Sequence, residues 1–225
     1  MKRLKKCTPL KIALILIALV VIGIATYFII RGSPSVNIGD IVNFGGYEWR
    51  VLDTQGRRAL IIMENVWENR PYDRSGNSVT WETSSLRREL NDEFYNSIPL
   101  EDRRKIRRAR VPNLVNPHFG TPEGWRRNIT RDYAFILSLE EIIKYFGDSG
   151  QLGIRDVGVW LIDDQYNDAR IAYNANGETS LWWLRSPGRN SWDAARIHVG
   201  GAINFHGVNV GLSDTGVRPA LWVNP

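Results

Sequence analysis

Apolar positions change their spacing along this chain, and each change predicts a different element. Residues 12–30, IALILIALVVIGIATYFII, are apolar or small throughout and carry no charge. As one helix they would run ~28 Å at ~1.5 Å per residue, close to the hydrocarbon thickness of a bilayer. Beyond a short linker at 31–36 the pattern shortens to alternation. Asp40–Phe44 and Tyr47–Asp53, separated by Gly45-Gly46, predict a hairpin with the Trp49 ring turned inward between Glu48 and Arg50. The run ALIIMEN at Ala59–Asn65 predicts a third strand at the buried centre of the sheet.

A helical period then takes over. Thr83-Ser84-Ser85 offers capping hydroxyls to a helix whose Leu86, Leu90, Phe94 and Tyr95 make one apolar stripe. Pro99 breaks it. Leu100 to about Arg108 predicts a second helix, with Glu101 and Asp102 in its first turn. The basic run Arg103, Arg104, Lys105, Arg107, Arg108 and Arg110 falls toward its C-terminal end. That run reads as a solvated helix face, the alternative being contact with anionic lipid or acidic polymers. Residues 111–131 predict a long Pro/Gly/Asn-rich connector, with His118, Trp125, Arg126 and Arg127 available to a ligand, or Phe119 and Trp125 pinned to the core. Tyr133–Leu137 reads as a strand. Ser138-Leu139-Glu140-Glu141 reads as a capping box that opens a short helix ending at Gly147. Asp148–Thr179 is loop-rich, apart from a short apolar stretch at Val157–Ile162.

The C-terminal stretch, Leu181–Val223, returns to strands. Leu181-Trp182-Trp183-Leu184 has large apolar side chains at alternating positions, as a strand buried on both faces requires. Arg185 and Arg218 are single cations in apolar strands, so each is expected to have a structural ion-pair partner. Gly200-Gly201 predicts a hairpin between Arg196–Val199 and Ala202–Phe205. Polar and aromatic residues interleave with the glycine turns here: Asn190, Trp192, Asp193, His198, Asn204, His206 and Asn209. Amides, imidazoles and a carboxylate supply donors and acceptors, and an exposed indole supplies a stacking face. As a set they are the expected ligand-binding residues, carried on loops over a rigid sheet.

Charge sharpens the reading of the N-terminus. The chain has 29 Lys and Arg, 24 Asp and Glu, and a formal charge of +5. Lys2, Arg3, Lys5, Lys6, Lys11 and Arg31 lie in residues 1–34, which contain no acid. Removing those six leaves 23 basic residues against 24 acidic, so the body is nearly neutral and nucleic acid is not an expected partner. The asymmetry around residues 12–30 predicts a basic cytoplasmic tail at 1–11 and a single-pass signal anchor at 12–30 in a bacterial cytoplasmic membrane. Residues 37–225 would then lie outside. A cleaved signal peptide is the competing reading.

The chemistry of the body is sparse. Cys7 is the single cysteine and precedes the apolar run, which excludes an intramolecular disulfide and a catalytic thiol in the body. His118, His198 and His206 are the three histidines and lack the spacing of a transition-metal motif. Asp163, Asp164, Asn167 and Asp168 cluster oxygen ligands, yet without the loop glycine and closing glutamate of an EF-hand; calcium is conceivable there and an acidic turn is favoured. No nucleophile elbow marks a serine. Catalysis and a cofactor are therefore not expected.

The motifs WWLRSPG (Trp182–Gly188), AARIHVGGAINFHGVNV and GVRPALWV (Gly216–Val223), together with GDIVNFGGYEWRVLD and TSSLRRELNDEFY, resemble a bacterial family of domains of unknown function. The likeness covers about residues 37–224. Their layout is also similar to C-type-lectin-like domains of the formylglycine-generating-enzyme type. That resemblance implies an α+β fold, in which one N-terminal transmembrane helix precedes a compact C-type-lectin-like domain of antiparallel sheets and a few short helices. It implies a loop face suited to binding and no catalysis, since the cysteines of the sulfatase-modifying enzymes have no counterpart in the body. The expectation is a non-catalytic, membrane-anchored recognition domain for glycan, cell-wall polymer or protein. An envelope hydrolase and a structural subunit of a membrane complex are the alternatives.

Overall fold

The computed structural model describes residues 36–120, 128–154, 158 and 160–225. In chain order the strands are β1 (Ile41–Phe44), β2 (Tyr47–Gln55), β3 (Arg58–Met63), β4 (Glu68–Asn69), β5 (Ile106–Arg107), β6 (Ala109–Asn113), β7 (Asn128–Asp132) and β8 (Ala134–Phe135). They continue as β9 (Ala172–Tyr173), β10 (Thr179–Ser180), β11 (Trp182–Pro187), β12 (Asp193–Ile197), β13 (Ile203–Asn209), β14 (Gly216–Val217) and β15 (Ala220–Val223). The helices are short: α1 (Ser85–Glu89), running through a π-turn at Leu90–Phe94 into α2 (Tyr95–Ser97), then α3 (Leu100–Arg103), α4 (Leu139–Phe146) and α5 (Asn167–Arg170).

One sheet has the order β1-β2-β3-β15-β5, with β8 also pairing β15; a second has the order β13-β12-β11-β14-β4. Strand β15 lies inside the first sheet, antiparallel to β3 through Ala220↔Ile62 and to β5 through Val223↔Ile106. The last strand thus joins an N-terminal meander to the middle of the chain, a pairing of high sequence separation. In the second sheet β11 carries Trp182 and Trp183 on opposite faces, and all six of its residues are buried. The Trp182 indole donates to the Arg170 carbonyl at 3.0 Å and that of Trp183 to the Arg70 carbonyl at 2.8 Å, so neither buried N–H is orphaned. Burying a large apolar side chain of this kind contributes roughly 1.5–3 kcal/mol. Trp49 is fully buried, as its alternation predicts, and its N–H reaches the Phe44 carbonyl at 2.8 Å.

Local signals are met closely. Ser138 accepts from the Glu141 amide at 3.2 Å while the Glu141 carboxylate accepts from the Ser138 amide at 2.9 Å, closing the capping box of α4. Gly147 ends that helix at φ 115°, where a side chain would be strained and its Cβ would fall 2.3 Å from the Tyr166 ring. Ser84 caps α1 by accepting from the Arg87 amide at 3.2 Å. Arg185 lies buried and donates to the Ile136 carbonyl at 2.7 Å, to the Pro112 carbonyl at 3.1 Å and to the Glu141 carboxylate. It is the structural ion-pair member expected of it.

The structure corrects the expected fold class and the elements expected between residues 100 and 131. The described fold is mostly β-sheet with a few short helices, not α+β: the longest α-helix described, α4, has eight residues. The expected transmembrane segment 12–30 lies outside the described residues, and among those described no helix is long and apolar enough to cross a membrane. The helix expected over Leu100–Arg108 stops at Arg103. Ile106 is instead drawn into the sheet beside Val223 and buried, so burial of one β-branched residue overrides the helical charge pattern. The connector 111–131 likewise begins and ends in strands, since β6 pairs β7 from Ala109↔Asp132 to Asn113↔Asn128. Trp125, Arg126 and Arg127 lie outside the described residues.

Candidate functional site

Strand β13 is the last strand of the second sheet, and its outer edge is only partly covered: Ile162 bridges Ile203 with amide–carbonyl distances of 3.0 and 2.9 Å. Beyond that bridge Phe205 and His206 meet two other segments. The Asn116 side chain is buried and donates to the carbonyls of Pro187 at 3.0 Å and Phe205 at 2.7 Å, which pins residues 116–120 against the sheet. That places the His118 ring 4.6 Å from Phe205 and the Phe119 ring edge-on to His206 at 5.2 Å. From the other side Trp160 stacks on His206, with centroids 4.9 Å apart and planes 20° from parallel. Trp160 is 64% exposed, the same ring that covers the imidazole being open to solvent.

The loop before β12 closes the arrangement. Gly188 donates to the Asp193 carbonyl at 2.8 Å and Arg189 donates to the His206 carbonyl at 2.7 Å. Only a glycine fits at 188, because a Cβ there would lie 2.4 Å from the His206 oxygen and 2.9 Å from the Gly207 Cα. The Asn190 amide donates to the Asp193 carboxylate at 2.8 Å. Burial pushes the His206 pKa below its ordinary value, and the charges of Arg189 and His118 push the same way against Asp193. The imidazole is therefore neutral at pH 7 and presents a stacking surface rather than a cation.

The expected ligand-binding residues divide between the two ends of this hairpin. Asn190, Asp193 and His206 converge around the 188–193 loop. Trp192 stands beside them, 50% exposed. His198 is exposed at the opposite end, five strand steps or ~17 Å from Asp193 at ~3.3 Å per residue. Asn204 is occupied within its own strand, accepting from the Gly207 amide at 2.9 Å. Asn209 accepts from the Gly211 amide at 2.8 Å and donates to the Gly76 carbonyl at 3.3 Å, so it fastens a turn. Phe119, Trp160 and Arg189 join the site without having been marked for it. Trp160 sits in a short apolar stretch, where an exposed indole and a core indole leave the same trace in sequence.

Elsewhere the polar clusters are committed to structure. Asp164 pairs with the fully buried Arg170 at 3.0 Å and Asn167 donates to Asp163, so three of the four clustered oxygen ligands are engaged with one another or with a cation. No group of three or more metal-ligating side chains occurs among the described residues. A cleft of about 460 Å³ is lined by Arg50, Glu64, Tyr145, Asp168, Tyr173 and Arg218. Arg50 is spent on Glu64, and Arg218 on the Met63 and Glu64 carbonyls at 2.6 and 2.9 Å. Burial holds the Arg218 pKa down to about 10, and its guanidinium lies 5.0 Å over the Trp182 ring. Lys144 Nζ contacts the Tyr145 hydroxyl at 3.0 Å and Asp53 at 3.2 Å, and both the lysine and the phenol are shifted upward, which keeps them protonated. Burial also raises the pKa of Glu140, whose Oε2 is enclosed and has no hydrogen-bond partner among the described residues.

Residues 56–225 match the family described as Domain of unknown function (DUF6273), and the chain belongs to that family. Searches of curated proteins and of solved structures return no match, so the likeness to C-type-lectin-like domains finds no support there.

Proposed function

We propose that this chain is a non-catalytic, extracytoplasmic recognition protein whose ligand is a saccharide unit of a glycan or cell-wall polymer. The observation that carries the reading is the open indole of Trp160 stacked on the neutral imidazole of His206. A sugar ring presents an apolar C–H face that lies against an aromatic plane, and hydroxyls that need fixed polar partners at its rim. Asn190, Asp193 and Arg189 supply those partners beside the stack. Phe119 and His118 brace it from beneath, and the buried Asn116 holds that brace in place before any ligand arrives. Such preorganisation suits binding.

The test is a binding screen of the full-length chain against soluble peptidoglycan fragments and a panel of oligosaccharides, with and without a chelator. The reading expects retention of at least one saccharide that survives chelation and competes with acrylamide quenching of tryptophan. Binding of envelope proteins alone would replace it with a protein-docking surface. Release of cleaved sugar would replace it with a hydrolase.

A further inference from the structure

The second cleft carries a separate message. It encloses about 490 Å³ and is lined by Arg58, Arg108, Arg110, Leu60, Tyr145 and Trp222, with Glu141 as its carboxylate. Glu141 is already taken, accepting from the buried Arg185 and from the Ser138 amide at 2.9 Å. Asp53, nearby through Tyr145, is matched by Lys144 at 3.2 Å. No carboxylate among the described residues pairs with Arg58, Arg108 or Arg110; Arg108 donates one N–H to the Arg131 carbonyl at 3.3 Å and lies 5.7 Å from the Tyr133 ring centre, which leaves its other guanidinium N–H groups. A second, independent feature points the same way. In the β6–β7 ladder Arg110 stands directly across from Arg131, and both are exposed. Like charges directly opposite on one face of a sheet destabilise it, and here no acid among the described residues relieves them. The Trp222 indole N–H also has no hydrogen-bond partner among the described residues, which leaves a neutral donor beside the cations.

We infer that this cleft binds a multiply charged oxyanion, a phosphate- or carboxylate-bearing unit, through Arg58, Arg108 and Arg110. Planar guanidinium groups match both oxyanions in bidentate fashion, and a cleft of this size accommodates a small anionic unit or one repeat of an anionic polymer. The site lies apart from the Trp160–His206 stack and does not depend on the saccharide reading.

The experiment titrates the full-length chain calorimetrically with pyrophosphate and, separately, with citrate at low ionic strength. At least one is expected to bind; the tighter of the two distinguishes a phosphate from a carboxylate source. Arg110→Ala and Arg58→Ala should each weaken that binding about tenfold or more, the scale of one charge-assisted contact. Arg104→Ala removes the same charge from the same basic run outside the cleft, and should change it by less than about threefold. Equal weakening by Arg104→Ala and Arg110→Ala would reduce the effect to diffuse charge and overturn the proposal, as would failure of both anions to bind. Melting without added anion is the second readout. Arg110→Gln should raise the midpoint by relieving the Arg110–Arg131 repulsion, and saturating pyrophosphate or citrate should erase that advantage. A lowered midpoint would mean that Arg110 holds the fold rather than awaiting an anion, and would also overturn it.

Discussion

Replacing Gly188 by alanine tests whether the loop before β12 really positions the His206 side chain. The added Cβ would meet the His206 carbonyl oxygen at 2.4 Å, the Asp193 Cβ at 2.7 Å and the Gly207 Cα at 2.9 Å, where ordinary contact begins at 3.4 Å. Two of those three atoms belong to the backbone, so no flexible side chain can swing away. Restoring contact needs a displacement of about 1 Å, enough to break both the Gly188–Asp193 and the Arg189–His206 backbone hydrogen bonds. Each such bond contributes roughly 0.5–1.5 kcal/mol and overpacking adds roughly 1–3, so a loss of about 2–4 kcal/mol is expected. For a chain of this size that corresponds to a melting midpoint lower by roughly 5–15 °C. Gly200→Ala is the control, since nothing lies within 4 Å of a Cβ there. Thermal and urea unfolding followed by circular dichroism and by fluorescence would measure both variants. If Gly188→Ala falls within about 0.5 kcal/mol of Gly200→Ala, the close approach of the loop to β13 is not real, and the geometry assigned to His206 fails with it.

Other consequences are as direct. Arg185→Met should cost about 3 kcal/mol or more, because it strips the Ile136 and Pro112 carbonyls and the Glu141 carboxylate of their shared donor; urea titration reads this, and a loss under about 1 kcal/mol would show the ion pair to be dispensable. His206 binds its proton less readily in the folded than in the unfolded chain, so stability should fall as pH drops through the ordinary histidine range near ~6.5, and His206→Gln should flatten that part of the profile. Asp164 behaves differently. Burial is the largest single influence and would raise its pKa, but the hydrogen bonds from Arg170, Ser149 and the Tyr166 amide, with the Arg170 charge, together outweigh it and hold the pKa below the usual carboxylate value. Its stabilisation is present above the unfolded value and is lost as pH falls through the folded one, so Asp164→Asn should remove an acid-side transition lying below that of His206.

Much of this fold is legible in the sequence where local rules act alone. The Gly45-Gly46 turn sets the β1–β2 hairpin, Gly200-Gly201 sets β12–β13, and the Ser138–Glu141 box sets the start of α4, each within a few residues. The double-faced burial of β11 is equally plain from adjacent tryptophans. The region from Leu100 to Asp132 is not legible in this way. Acids in a first turn and a following basic run satisfy helix rules, while the competing strands gain from partners far along the chain, Val223 for Ile106 and residues 128–132 for β6. The candidate site follows the same division. Asn190, Asp193 and His206 were visible as turn and hairpin chemistry, whereas Trp160 and Phe119 reach His206 through tertiary contacts alone. Asn204 and Asn209 carry side chains of the same chemistry, but the local backbone claims them first.

The most direct measurement is the affinity of Trp160→Ala, beside wild type, for whichever saccharide the full-length chain retains. Removing an aromatic anchor of this kind costs about 2 kcal/mol or more, so affinity should fall roughly thirtyfold or further while the melting midpoint stays unchanged. Undiminished saccharide binding by Trp160→Ala, or no saccharide retained by the wild-type chain at all, would contradict the account.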